Sequence, residues 1–362
     1  MSNRAACTAM LGWIAAVAIL PACGPVGARA EAVPPLAWRD DPEPEHLVPR
    51  HGQQPLLLYF TADWCGPCRL LEREVFNDPA GQAELRHYEL VRLDLDSPQG
   101  RALADSFRIA TVPSFVMLAA GGGEIERVCG YRSRRLLLRD LARFRRGEGT
   151  RDDLQRRLLA TPDDPALLAE LGLRHHARQE LSEAAAMLAA GLAESAQLPD
   201  TLAAAAARGL ADVRRRQGEP AVAAATLEDL LARWPDHPYP RVTWQLLAAC
   251  RREYGDAVAA LAALRAAAAI PPLRAEALME YARAAAELGS DLSEAEAAAR
   301  QAVAMTGRED PEALAILAEV LRRCRAYPEA MLWIKRAVAA APLEPRWQRQ
   351  RQAILEAAIN GD

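Results

Sequence analysis

The apolar run Leu56-Leu57-Leu58-Tyr59-Phe60 stops five residues before Cys65, and Trp64-Cys65-Gly66-Pro67-Cys68 opens a leucine- and charge-rich stretch beyond it. A short unbroken apolar run of this kind reads as a buried strand, and Pro67 suits the first turn of a helix, where no N–H bond is lost. The strand therefore hands two cysteines to a helix N-terminus. Free N–H groups and the positive end of the dipole favour a thiolate on the first cysteine, and the second, three residues on, shares its face. The same spacing is half of a zinc site, but Cys7, Cys23, Cys129, Cys250 and Cys324 stand singly, with no second pair. The expectation is a redox-active Cys65–Cys68 disulfide, with no metal and no other cofactor.

Residues 36–146 resemble a thioredoxin-family domain. The resemblance rests on the strand 56–61, the segment Asp63 to Cys68, a second strand over 89–95 and a helix over 99–107. Thr111-Val112-Pro113-Ser114 then precedes the apolar run 115–118, and Gly122-Gly123-Glu124 turns into a strand over 125–129, followed by Gly130 and a closing helix over 133–144. The resemblance implies an α/β fold in which Pro113 is the family's cis-proline. The backbone of Val112, beside the dithiol, then receives an extended client segment. Cys65 is the attacking thiol and Cys68 the resolving one, with Trp64, Gly66 and Pro67 in support.

Within the family, 61–65 and 71–79 are closest to the C-terminal domain of DsbD-type reductases. That likeness puts Glu72, one turn past Cys68, beside the dithiol; a solvated carboxylate between Arg69 and Arg73 is the plain alternative. One departure stands out. The buried aspartate that the family carries six residues before the first cysteine is Tyr59 here, so proton transfer at Cys68 is left to Glu72 or water.

Residues 1–30 read as a secretory signal: Arg4, an apolar stretch over 5–20 without a charge, then small residues and prolines. Ala28-Arg29-Ala30 is a small-x-small cleavage site, whereas Leu20-Pro21-Ala22-Cys23 resembles a lipobox with Cys23 as the lipidated residue. Pro21 is foreign to a lipobox, so a soluble periplasmic protein is expected, membrane-bound only if Cys23 is lipidated. Lys335 is the only lysine among 44 basic residues, and a net charge of −4 over 362 residues gives no reason to expect nucleic acid.

After residue 146 the composition turns to alanine, leucine and charged residues at helical period. Self-similarity follows at 34 to 39 residues, as the spacing of Leu171, Leu210, Leu247, Tyr281 and Leu317 shows. The offsets resemble tetratricopeptide repeats: Leu314, Leu317, Ala318, Leu321, then Ala330, Ile334, Ala337 and Pro342 form the clearest copy, and Trp244 to Pro272 another. About five repeats over 152–344 and a capping helix over 345–360 are expected, an all-α solenoid behind the thioredoxin fold. Arg174, His175, Arg178, Arg214, Arg251 and Arg322 are its candidate groove positions.

Together the halves point to a periplasmic thiol–disulfide oxidoreductase whose repeats recruit cysteine-bearing protein clients, served by a DsbD-like or other envelope redox partner. Gly66-Pro67 between the cysteines favours reduction. The alternative is a holdase or assembly adaptor, cytochrome c maturation included, with an accessory redox site.

Overall fold

The computed structural model describes residues 36–44, 47, 54–271, 274–307 and 309–360. The apolar leader, both processing sites, Cys23 and Pro272 lie outside them. β1 (Trp38–Asp40), β2 (Leu56–Thr61), β3 (Glu89–Asp94), β4 (Ser114–Leu118) and β5 (Glu124–Cys129) form one sheet in the order β1-β3-β2-β4-β5. β2 is parallel to β3 and antiparallel to β4, and β5 is antiparallel to β4. α1 (Gly66–Leu71), a π-helical turn (Glu72–Phe76), α2 (Pro79–Leu85), α3 (Pro98–Ser106) and α4 (Arg134–Arg145) flank it.

Being central, β2 is buried along its whole length, which is why its sequence is apolar without alternation. Its residues nonetheless divide by the pleat. Leu57 and Tyr59 join the cluster with Cys65, Cys68, Phe115, Leu137 and Leu141, while Leu56, Leu58 and Phe60 join Val91, Leu93, Leu103 and Val116 on the other face. Each buried leucine contributes about 2 kcal/mol, so this strand fixes the platform from which α1 departs.

Beyond α5 (Arg151–Ala160), the described chain forms five helix pairs: α6 (Pro165–Ala177) with α7 (Leu181–Ala193), α8 (Asp200–Arg216) with α9 (Pro220–Arg233), α10 (Pro240–Glu253) with α11 (Ala257–Ala268), α12 (Arg274–Leu288) with α13 (Leu292–Met305), and α14 (Pro311–Arg323) with α15 (Tyr327–Ala340). α16 (Pro345–Asn360) follows and buries Trp347 and Ile354 against the last pairs. The unpaired α5 differs from the expected repeat pattern; it packs Leu154 against Leu167 and Leu171. Alanines dominate the core because a small side chain lets paired helices approach closely, and the buried cluster runs unbroken from Ala211 to Ile354. No helix among the described residues is long and apolar enough to cross a membrane.

The first repeat is fastened to the edge of the sheet. Glu126, with no exposed surface, accepts the backbone N–H of Arg151 at 2.9 Å and pairs with Arg178 at 2.8 Å and Arg174 at 3.2 Å. Glu124 pairs with Arg178 at 2.9 Å and with Arg127, whose guanidinium also donates to the carbonyls of Phe107 and Ala177. Two of the expected groove positions are thus corrected, because Arg174 and Arg178 grip the chain's own sheet; the others have partners within the repeats, His175 with Glu180, Arg214 with Thr226, Arg251 with Glu228 and the Ala259 carbonyl, and Arg322 with Glu319. Periodicity places a residue on a helix but cannot say that another domain of the same chain will claim it.

Burial opposes ionisation of Glu124, but the Arg127 hydrogen bond and the charges of Arg178, Arg127 and Arg151 outweigh it and hold the carboxyl below the usual range. A carboxyl depressed on folding stabilises above its unfolded pKa, near 4.3, and that contribution is lost as pH falls through the lower folded value. The junction should therefore loosen in acid below about pH 4. Arg178→Ala, which leaves Glu126 with Arg174 and the Arg151 N–H and Glu124 with Arg127, should cost about 1.5–3 kcal/mol by urea unfolding at pH 7. A loss under 1 kcal/mol would show the cluster to be dispensable.

The link inside each pair carries a residue with positive φ, namely Gln179, Gly218, Gly255, Gly289 and Arg325, and the α12–α13 link carries a second, Asp291. Arg325 is exposed at φ 62°, where a side chain costs about 1–2 kcal/mol. Arg325→Gly should therefore raise stability by about 0.5–1 kcal/mol, seen as a higher unfolding midpoint, and an unchanged or lower one would refute the strain.

Candidate functional site

The turn after β2 delivers Cys65 as the N-cap of α1, with extended backbone (φ −80°, ψ 96°) and its Sγ accepting the Cys68 backbone N–H at 3.1 Å. The two cysteines are joined as a disulfide. Pro67 lies in the first helical turn, where the missing N–H leaves no bond unmade. Both cysteines are nearly closed to solvent, at 3% and 1% exposure, while Trp64 beside them is 61% exposed.

The Val112–Pro113 peptide is cis, Pro113 is buried, and its carbonyl accepts the Gly130 N–H at 2.8 Å. Val112 packs against the apolar cluster that contains Cys65 and Cys68. The fold therefore brings Trp64, Cys65, Gly66, Cys68, Val112 and Pro113 to one end of the sheet, from segments 44 residues apart at the nearest, Cys68 and Val112.

Tyr59 fills the place of the missing aspartate in a way the sequence did not announce. Its ring is fully buried, stacked on Phe115 at 4.9 Å and edge-on to Phe76 at 5.1 Å, and its hydroxyl donates to Glu72 Oε1 at 3.1 Å. Burial raises the phenol well above its ordinary pKa, and the Glu72 carboxylate adds to the shift. Tyr59 is thus a neutral donor that orients Glu72, not a proton acceptor at working pH. Only the aromatic at this position and the acid one turn beyond Cys68 hinted at the pair.

Cys129 lies beside Ser114 across the β4–β5 ladder, with its sulfur 3.8 Å from the Ala177 carbonyl. Burial pushes its thiol up, away from the range of a reactive thiolate. The repeats contribute two residues that no local pattern marks. A Cβ on Gly66 would stand 2.0 Å from Glu276 Oε1 of α12, and Arg69 of α1 lies 3.6 Å from Asp310, the N-cap of α14.

This arrangement can carry thiol–disulfide exchange. Once the pair is reduced, Cys65 keeps the hydrogen bond from the Cys68 N–H, which favours its thiolate. Iodoacetamide should accordingly modify Cys65 several-fold faster than Cys68 at pH 7, as read by peptide mass mapping; the reverse order would contradict the cap geometry.

A family model for a thioredoxin-like domain matches residues 46–144, and one for a tetratricopeptide repeat matches 289–345. The thiol:disulfide interchange protein DsbD 1 of Pseudomonas aeruginosa is 39% identical over 77 residues, 21% of this chain and 13% of the relative. The TPR repeat-containing thioredoxin TDX of Arabidopsis thaliana is 37% identical over 75 residues, 21% of this chain and 18% of its own length. The solved structure of YrrB, described as a TPR protein with an unusual peptide-binding site, aligns at a TM-score of 0.47 and 16% identity over 55% of this chain and 97% of that one. The chain spans less than a fifth of the length of either curated relative.

Proposed function

We propose that this chain, in which a thioredoxin-like domain precedes tetratricopeptide repeats, exchanges disulfides with protein clients in the cell envelope. The observation that carries the reading is the Cys65–Cys68 pair at the start of α1, with Val112 packed against the same cluster. The Cys65 thiolate attacks a client disulfide: the Cys65–client bond forms, the client's S–S bond breaks, and one client sulfur leaves as a thiolate that takes a proton. Cys68 then attacks Cys65 Sγ, closing the intramolecular disulfide and releasing the second client thiol. The client gains two electrons and two protons, which an envelope dithiol donor restores to Cys65 and Cys68. Val112 and Pro113 receive the client backbone as an added strand, and Trp64 supplies an exposed aromatic surface beside the sulfur.

The apolar leader supports an envelope location, with the soluble form preferred to one anchored through Cys23. The repeats supply the surface for protein partners. A holdase or adaptor remains the second reading, favoured by one observation: the dithiol is nearly closed to solvent in the disulfide state.

Replacing Cys68 with Ser removes the resolving step, so Cys65–client mixed disulfides should accumulate in envelope extracts, and Cys65→Ser should abolish them. Non-reducing electrophoresis with mass spectrometry reads the adducts. If no Cys65-dependent adduct forms while both serine variants still suppress client aggregation, the redox reading fails and the holdase stands.

A further inference from the structure

The active-site turn is met at Gly66 by a part of the chain that lies about 210 residues away from it in sequence. Glu276 of α12 rests against the backbone of Gly66, so closely that any Cβ there would collide with its carboxylate. Arg69, one turn further along α1, reaches Asp310 at the start of α14 and also donates to the Asp63 carbonyl at 2.6 Å. Arg241 of α10 carries the opposite charge near Glu276 and Glu280, and Glu280 is itself held by Gln245 at 2.6 Å. All three helices are the first members of their pairs. α12 and α14 meet the segment Gly66–Arg69, beside which Cys65 has 3% of its surface exposed.

We propose that the repeat array forms a wall of the dithiol site and that Glu276 determines which disulfides and thiols reach Cys65; the inference rests on the redox reading above. The wall acts by bulk rather than by charge, because Arg241 offsets the carboxylate. With the Gly66 side closed, a partner sulfur is admitted on a single extended segment lying along Val112 and Pro113, and a cysteine set in a flat folded surface is excluded. The wall's hold is weak. The Arg69–Asp310 pair is half-exposed on the arginine side and worth about 0–1 kcal/mol, whereas the far end of the array is held by the buried Glu126 cluster.

The test uses the full-length oxidised chain and two reductants, dithiothreitol and a reduced single-domain thioredoxin, with acid quenching and peptide mapping of the released Cys65 thiol. The readout is the ratio of the protein rate to the dithiothreitol rate. Glu276→Ala should raise that ratio about five-fold or more, and Asp310→Asn, which keeps the helix cap but loses the charge pair, about two-fold. Glu276→Gln, which keeps the volume, should leave it within about two-fold of wild type. An unchanged ratio in both Glu276→Ala and Asp310→Asn overturns the wall, as does a Glu276→Gln variant that matches Glu276→Ala. Failure of wild type to react with dithiothreitol at all would instead overturn the redox reading, and the two failures are read separately.

Discussion

Glu126 carries more of this structure than any residue at the sulfur chemistry. A carboxylate with no exposed surface loses several kcal/mol of hydration, and only well-aimed partners offset that loss. Here there are three: the Arg151 N–H at the N-terminus of α5, Arg174 on α6, and Arg178 just past the end of that helix. Because none of these can be removed without stranding charge, the sheet and the first helix pair are fixed in one orientation. Everything the later pairs do near the dithiol follows from that orientation. The cluster's value lies less in net stability than in excluding other dockings, since a slipped interface would leave Glu126 buried and unpaired.

Where the determinant was local, the sequence was readable. The unbroken apolar run at 56–60 reads as a strand covered on both faces, and Pro67 within Cys65 to Cys68 marks the first turn of a helix behind it. Repeats were legible because five copies must each bury the same offsets, so Leu247 and Leu317 fill equivalent places. The single helix α5 was not, since one helix has no copy with which to be compared. Nor were the contacts of Arg174, Arg178, Glu276 and Asp310, which depend on how small rotations between successive pairs add up. A pattern of 34 to 39 residues fixes the unit and leaves the curvature open.

The replacement at Tyr59 shows a site adjusting its chemistry within an unchanged frame. A phenol of this size is accommodated because Phe76 and Phe115 make an aromatic box around it, and its hydroxyl finds Glu72 rather than remaining unpaired. The carboxylate thus sits not on the strand but in the π-helical turn that continues α1. Glu72 caps the C-terminal end of α1, so any tilt of that helix moves Cys68 and the carboxylate together.

The succession of helix pairs also has a mechanical side. From α6 to α14 there are four steps between the first helices of successive pairs, and the array is fastened firmly at the Glu126 end and weakly, through Arg69 and Asp310, at α14. Since each pair touches mainly its neighbours, the array is most compliant in bending. A flexure of only a few degrees, spread over all the pairs, would shift α12 and α14 by a few ångström against α1, because the ion pair that holds them there is weak. A macromolecule bound to the later pairs would thus exert leverage at Gly66, through Glu276, without ever touching it.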